Sequence, residues 1–549
     1  MSKVPPDIRF VSSRRGFLKR GLGVGIGGLV AGCGRTVIGG SMGQSAGGGS
    51  GSGAWPNSPV DPTKPTDPGN PTAPGNPTDP GQPPDPPKPP DPPQPVDTQP
   101  ALPSGALQVN ASVTTTQLGS VGTDFVGFSF EKSELTTASF QADKTNIVNL
   151  FKALGPSVVR IGAAAVDRLV WNNSLTTGHV DRFASFISQT GWRVIYGINL
   201  LTNTPEAAAD EAQYAISKMG NLITHFTLGN EPENLTYVSS ANFNQKWLIF
   251  KNAIVNRVGN RAFAGPETTG SGRANDYTKP FATAVGSSNI ALLTHHFYTV
   301  SSSDQTLYRM LGTPEPVLEQ ERAKFRSTLL TIPKSSKLND NLVPVKAAAD
   351  GLNIKFRLSE TNSATAGGVA GVSDVYASAL WSLDLMFLSA QGGAIGVNFH
   401  GGDIRSLYTP FGFTSASLQE IRPLYYGILF FTMMGSGPVL SSSINAGGSN
   451  ISIYAIKTAS GYSVLLLNKE EAASFEVTLS LPTAVSSATS IYLRGPGLTS
   501  KTGVTIQNGA VSIVSGQLVG MEDSYKVGVS GSNAVIKVPA LTAVLVKAS

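Results

Sequence analysis

Eight short runs rich in β-branched and aromatic residues recur over almost 300 residues. They are Val126–Phe130, Ser157–Ile161, Arg193–Ile198, Thr224–Leu228, Arg261–Ala264, Ala291–His295, Ile354–Leu358 and Ala394–Phe399. Such runs read as strands. Helix-like segments stand between most of them. Pro205–Met219 opens with a proline just after Thr204, a favourable N-cap arrangement. Asn242–Val258 and Ser373–Ala390 have apolar residues at helical spacing. The stretch between Ile332 and Asn353 shows no clear pattern. Eight strands alternating with helices predict an α/β chain with a (β/α)8 barrel, and the active site of such a barrel lies at the C-terminal ends of its strands.

After about Pro438 the helical periodicity stops. Short strand-like runs follow at Ile451–Ile456, Tyr462–Leu467, Phe475–Leu479, Ser490–Leu493 and Ala534–Val546, with Gly, Ser, Asn and Thr between them. That texture predicts a C-terminal β-sandwich. Order is expected to begin near Leu107, and residues 106–120 are candidates for a strand or two of the sandwich. The expected division is a leader over 1–32, a linker over 33–105, a catalytic barrel over 106–435 and a sandwich over 436–549.

The formal net charge is +5, but it does not imply an acidic partner. Residues 1–32 carry Lys3, Arg9, Arg14, Arg15, Lys19 and Arg20 against Asp7, which accounts for all of it. The remainder is near neutral, so nucleic-acid binding has no electrostatic support. Ser13-Arg14-Arg15-Gly16-Phe17-Leu18-Lys19 resembles a twin-arginine export signal, a receptor-read address. The apolar stretch Gly21 to Gly32 is too short to span a membrane. Val30-Ala31-Gly32-Cys33 resembles a bacterial lipoprotein cleavage box. The resemblance implies cleavage before Cys33, lipid attachment to its sulfur, and a membrane-anchored protein in the bacterial cell envelope, in the periplasm or at the cell surface. Cys33 is the chain's single cysteine, so no intrachain disulfide can form. A Gly/Ser stretch follows, and then proline stands at every third position from Pro56 to Pro95. That period suits polyproline II, and 40 residues of it reach roughly 120 Å. The tract reads as a semi-stiff spacer.

Two glutamates carry the chemistry. Glu231 ends the run in Leu228-Gly-Asn-Glu-Pro232, and Glu360 ends the run in Leu358-Ser-Glu-Thr-Asn362. They fall at the fourth and seventh strands, which face each other across a barrel mouth. Glycosidic cleavage needs one carboxyl to deliver a proton and another to meet the anomeric carbon. Asn230 stands beside Glu231, placed to hydrogen-bond a sugar hydroxyl. Glu233 is a rival acid, but it follows Pro232, where the chain has left the strand. Arg160 reads either as an ion-pair partner of these carboxylates or as a substrate ligand. His295 and His296 are adjacent, so one should line the cleft while the other packs. Metal binding by the pair has no third ligand at useful spacing. Glu131 closes the first strand and is a candidate sugar contact. His400 ends the eighth strand, where it either orients a loop or lines the cleft.

Six phrases in order make the resemblance specific: Phe125-Val-Gly-Phe-Ser-Phe-Glu131, Arg160-Ile-Gly162, Leu228-Gly-Asn-Glu-Pro232, His295-His-Phe-Tyr298, Leu358-Ser-Glu-Thr-Asn-Ser363 and Gly396-Val-Asn-Phe-His-Gly-Gly402. The chain resembles glycoside hydrolase family 79, the β-glucuronidase and heparanase-like enzymes, within the clan of retaining (β/α)8 glycosidases. The resemblance implies Glu231 as acid/base and Glu360 as nucleophile, with Tyr298 hydrogen-bonded to Glu360. It implies Asn230 as a sugar contact; Glu131, His296 and Tyr408 are the further candidate substrate contacts, and no cofactor or metal is expected. The implied partner is an oligosaccharide, polysaccharide or glycoconjugate with β-glucuronide linkages. Residues Asn362 to Gly368 lack the aromatic residue that such enzymes carry after the nucleophile. A neutral sugar, or a glucuronide modified at its 4-position, therefore stands as the alternative. A surface lipoprotein that binds carbohydrate without cleaving it is the reading from another class.

Overall fold

The computed structural model describes residues 97–234, 239–301, 314–414 and 417–549. The arginine pair, Cys33 and the proline tract lie outside the described residues. The first strand, β1 (Leu107–Val121), does not enter the barrel. Eight parallel strands then close on themselves: β2 (Val126–Glu131), β3 (Val158–Gly162), β4 (Arg193–Ile198), β5 (Ile223–Leu228), β6 (Phe263–Thr269), β7 (Leu292–Val300), β8 (Lys355–Ala364) and β9 (Val397–Gly401). Pairing of Val126 with Val397 through Phe130 with Gly401 seals the ring. The fold is the (β/α)8 barrel that the strand–helix alternation predicts.

The helices obey their local signals. Pro205–Met219 is capped by the Thr204 hydroxyl, which accepts from the Ala207 amide at 3.2 Å. Ser240–Val258 is capped by Ser239 in the same way. Two elements of the barrel depart from expectation at a proline. The expected run Arg261–Ala264 continues as β6 through Pro266 and Glu267 to Thr269. The patternless stretch after Ile332 holds a helix, Lys337–Gly351, with Pro344 inside it. Proline removes a backbone donor and weakens either reading from sequence.

The floor of the barrel is filled by Arg357. Its Nε donates to Asn398 Oδ1 at 2.5 Å, and its Nη2 donates to the Asp124 and Phe125 carbonyls. Gly127 and Gly396 make the room: a Cβ on Gly396 would lie 2.1 Å from Arg357 Nη1.

Above the barrel a hairpin, β10 (Phe411–Phe413) and β11 (Leu418–Ile421), leads to the helix Pro423–Thr432. The chain then builds β12 (Gly437–Asn445), β13 (Ile451–Thr458), β14 (Gly461–Asn468), β15 (Phe475–Ser480) and β16 (Ala488–Arg494). The expected run Ala534–Val546 is two strands, Asn533–Val538 and Thr542–Ala548, divided at Pro539. β1 joins this region, antiparallel to β12 and parallel to β15. One eleven-stranded sheet results. Val464, Leu466, Val544 and Val546 share a core with Val477, Leu479, Ile536 and Val538, so the sheet curls over into two layers. Order starts earlier than Leu107: Gln99 is buried, and its side chain donates to the Val535 carbonyl at 2.8 Å.

Successive strand side chains point to opposite faces. Leu465, Leu467, Leu493 and Leu545 accordingly face the barrel and join its core. With both faces covered, β14 reads as a continuous apolar run. The helix Tyr376–Gln391 lies between barrel and sheet and is buried except at Leu388 and Gln391. Trp381 Nε1 donates to Thr299 Oγ1 on the barrel side at 2.9 Å. On the sheet side Phe387 stacks on Tyr454 at 4.6 Å. Asp384, on this helix, accepts from Lys469 Nζ at 2.5 Å and from Tyr454 Oη at 2.7 Å.

Both charges of the Asp384–Lys469 pair are fully buried. Removing one partner strands the other in a medium that solvates it poorly. Lys469→Met should therefore cost about 3–5 kcal/mol in denaturant unfolding. The double variant Asp384→Leu/Lys469→Met should cost less than the single. Equal stability of Lys469→Met and wild type would contradict this account of the interface.

Candidate active site

Seven of the eight barrel strands, all but β4, carry ionisable side chains into the mouth of the barrel or just beyond their own ends. Glu360, on β8, sits opposite His296, on β7, in the strand register. Glu360 Oε2 accepts from Arg160 Nη1 at 2.6 Å, and Oε1 accepts from Tyr298 Oη at 2.7 Å. Burial pushes this carboxyl toward the neutral form, but His400, His296, Arg160 and Tyr298 together outweigh it and hold Glu360 well below the usual carboxylate range. Its surroundings therefore favour the Glu360 anion.

Glu231 follows β5 and projects over the same space. Its Oε1 lies 3.0 Å from His296 Nδ1, and its Oε2 accepts from Asn234 Nδ2 at 2.8 Å. Oxygens of Glu231 and Glu360 and a nitrogen of His296 all lie within 4.8 Å of one another. Glu231 is the more open carboxyl, 22% exposed against 8% for Glu360.

A third carboxylate, Glu267, lies beneath them. It is fully buried, and a sequence reading built on clean strand runs passes over it. Its Oε2 accepts from Ser359 Oγ at 2.6 Å and lies 2.7 Å from His296 Nε2 and 3.1 Å from Arg160 Nη2. Burial opposes its charge, yet Arg160, His296 and Ser359 pull it below the ordinary glutamate value. The signal available in the sequence is Gly265-Pro266-Glu267 at the close of a strand-like run.

Each ring nitrogen of His296 thus faces a carboxylate, so both must carry protons to donate. Burial disfavours the imidazolium, but Glu360, Glu231 and Glu267 overcome that and push it up to about 10. With no free ring lone pair, His296 is not set up as a metal ligand in the Glu231–His296–Glu360 cluster. Its neighbour His295 points the other way, among Thr268 Oγ1 and Asn341 Oδ1, both at 3.2 Å. Burial lowers His295 to about 4, so it is neutral.

The remaining candidates fall around this centre. Arg160 is wholly buried and is taken up by Glu360, Glu267, Ser129 and Asn230, whose Oδ1 accepts from Nη2 at 2.7 Å. The Asn230 amide N–H donates to Asp167 Oδ2 at 3.0 Å, which fixes the chain just before Glu231. Glu131 accepts from the Ala165 amide at 2.6 Å and stands 4.0 Å from His400 Nε2. Burial raises its carboxyl. His400 Nδ1 lies 3.2 Å from Ser129 Oγ and 3.8 Å from Glu360. Tyr408 packs against the rings of Tyr298 and His400. Glu233 turns away from Glu231's cleft to accept from the Thr269 amide at 2.6 Å, and burial raises it to about 7.

No family model matches the chain. Heparanases of Bos taurus and Mus musculus are 22% and 24% identical over 297 and 299 residues, 52% of this chain in each case. The chain spans about half the length of these curated relatives, 50% and 51%. A 4-O-α-L-rhamnosyl-β-D-glucuronidase from Fusarium oxysporum is similar in structure, with a TM-score of 0.62 at 20% identity over 80% of this chain and 100% of that one. An arabinofuranosidase of glycoside hydrolase family 51 from Xanthomonas axonopodis pv. citri has a TM-score of 0.62 at 13% identity over 81% and 100%. A Paenibacillus polymyxa xyloglucanase of glycoside hydrolase family 44 has 0.57 at 10% over 81% and 100%. At these identities the structural likeness is one of fold.

His296 has a testable consequence. Its folded value, about 10, lies above the 6.5 of a free histidine. Its contribution to stability is therefore complete below about pH 6.5 and fades as pH rises through about 10. Nitrogen-edited NMR at pH 8 should show protons on both His296 ring nitrogens. A midpoint near 6.5 would contradict the two-carboxylate clamp.

Proposed function

We propose that this protein is a retaining glycoside hydrolase that cleaves β-glucuronides. The observation that carries the reading is the approach of Glu231 and Glu360 oxygens within 4.8 Å at the mouth of the barrel. Retaining enzymes hold their two carboxyls about 5–5.5 Å apart, and inverting ones about 6.5–9.5 Å. The heparanase similarity and the glycosidase-like fold support the same class.

In this proposal the Glu360 carboxylate attacks the anomeric carbon while the bond to the leaving oxygen breaks. Glu231 gives that oxygen its proton, and a glycosyl ester on Glu360 remains. Water then loses a proton to Glu231 and attacks the same carbon, which frees Glu360. The charges suit the division of labour. Arg160 and His296 are two cations among three carboxyls, Glu231, Glu267 and Glu360. A proton on Glu231, the most exposed of the three, brings the set to neutrality. Asn230 Oδ1 is engaged by Arg160, which leaves its NH2 group for a sugar hydroxyl. Tyr298, Tyr408, Glu131 and His400 wall the space beside Glu360, where the sugar ring is proposed to bind.

One observation favours a second substrate reading. The segment after Glu360, Asn362 to Gly368, carries no aromatic hydroxyl for a uronate. The Fusarium neighbour is a glucuronidase for a 4-O-rhamnosylated glucuronide, and other neighbours are arabinofuranosidases. A 4-substituted glucuronide or a neutral pentoside is the alternative. The export and Cys33 anchoring read from the leader would place the reaction in the cell envelope.

The purified protein should be assayed on aryl β-glucuronide, 4-O-rhamnosyl-β-glucuronide, β-glucoside, β-xyloside and α-L-arabinofuranoside. The proposal expects a uronide to be cleaved fastest, and a preference for a neutral sugar selects the alternative. Glu360→Gln and Glu231→Gln should each stay folded and lose at least about 10³-fold in kcat on an activated aryl substrate. Near-native rates in both would overturn the residue roles. Sugar binding with no turnover on any substrate would favour the non-catalytic reading.

A further inference from the structure

Glu267 is a charged group that the proposed chemistry does not use. It has no exposed surface, so it cannot touch substrate. Yet one of its oxygens, Oε2, faces three donors on three different strands: Arg160 Nη2 from β3, His296 Nε2 from β7 and Ser359 Oγ from β8. Two of those donors pass directly to the paired carboxylates. Arg160 spends its other terminal nitrogen, Nη1, on Glu360, and His296 spends Nδ1 on Glu231.

The backbone repeats the connection. The Glu231 amide donates to the Glu267 carbonyl at 2.8 Å. Both residues hold left-handed backbone, with φ of 42° at Glu231 and 64° at Glu267. Such conformations cost about 1–3 kcal/mol each in non-glycine residues and persist only where surrounding contacts impose them. Glu231 and Glu267 are therefore tied twice, once through the main chain and once through the His296 ring.

We propose that Glu267 is a positioning residue that holds Glu231 and Glu360 in register, acting through His296 on one side and Arg160 on the other. The inference rests on the glycosidase reading of Glu231 and Glu360. The physical reason is electrostatic. A neutral amide at this position could leave a carbonyl oxygen facing the donors, but it would remove the negative charge that Arg160 and His296 share and bury its NH2 where Oε1 now has no hydrogen-bond partner. The His296 ring would then have Glu231 as its one hydrogen-bonded carboxylate, and Arg160 would be free to shift away from Glu360. The charged groups facing His296 are Glu231 and Glu233 beyond β5, Glu267 on β6, Glu360 on β8 and Arg160 on β3, with neutral His295 adjacent in the chain.

The test compares wild type, Glu267→Gln and Glu267→Asp in the full-length protein, after circular dichroism and melting show which variants fold. Two readouts are needed. The first is the His296 protonation midpoint by NMR with nitrogen-15 histidine, a sparse spectrum because the chain has five histidines. The second is kcat and KM against pH on aryl glycosides with good and poor leaving groups. Glu267→Gln should lower the His296 midpoint by more than about one unit. It should also lower kcat by about 10²-fold while KM changes little, with the larger loss on poor leaving groups. Its alkaline limb should move to lower pH. Glu267→Asp keeps the charge but withdraws it by one methylene, so it should lose rate while keeping the alkaline limb. A folded Glu267→Gln with native kcat and an unmoved His296 midpoint would overturn the proposal. If Glu267→Gln does not fold, native kcat in Glu267→Asp overturns it instead. Should wild type cleave no glycoside, the functional reading fails, and the His296 midpoint still decides whether Glu267 holds the ring.

Discussion

One guanidinium and one imidazolium, both without access to water, organise the mouth of this barrel. Arg160 and His296 are each flanked by two carboxylates, and Glu267 is common to both. Buried charges are tolerated only when paired and hydrogen-bonded. The arrangement meets that demand by sharing: two cations serve three carboxylates drawn from the ends of β5, β6 and β8. The same sharing fixes distances. Glu360 cannot leave Arg160, nor Glu231 leave His296, without exposing a charge to a medium that solvates it poorly. The separation on which the proposed double displacement relies is thus a product of electrostatics in the interior.

The rest of the fold packs around that buried interior. The helix Tyr376–Gln391 follows β8, which bears Glu360, and is clamped between barrel and sheet by Trp381, Phe387 and the Asp384–Lys469 pair. The curled sheet packs on the helices Tyr376–Gln391 and Pro423–Thr432, on the side of the barrel that follows β8.

Much of this was legible in the chain itself. The eight barrel strands are short runs of branched and aromatic residues, and each is found within a few residues of its expected place. Glu231 and Glu360 stand out because each ends such a run, and Tyr298 reaches Glu360 as the family resemblance implies. The illegible parts have definite physical causes. Pro266 interrupts the strand pattern two residues after the expected end of β6, so Glu267 falls outside any recognised strand. Pro344 hides the helix Lys337–Gly351 in the same way. Helix Tyr376–Gln391 is legible as a helix, but that both its faces are covered depends on where the C-terminal sheet packs. The roles of Arg160 and His296 depend on which strands are neighbours around a closed ring. That information is in the topology, not in any local phrase.

The central claim is that Glu231 and Glu360 are close enough for one to bond to carbon while the other manages the proton. The most direct measurement is the stereochemistry of the first product. Proton NMR of the anomeric signal, followed from the start of hydrolysis before mutarotation, reports it without any substitution in the protein. The account predicts that the sugar is released with the configuration it had in the substrate. Initial appearance of the opposite anomer would contradict it, because inversion requires a water molecule between carboxyls held further apart.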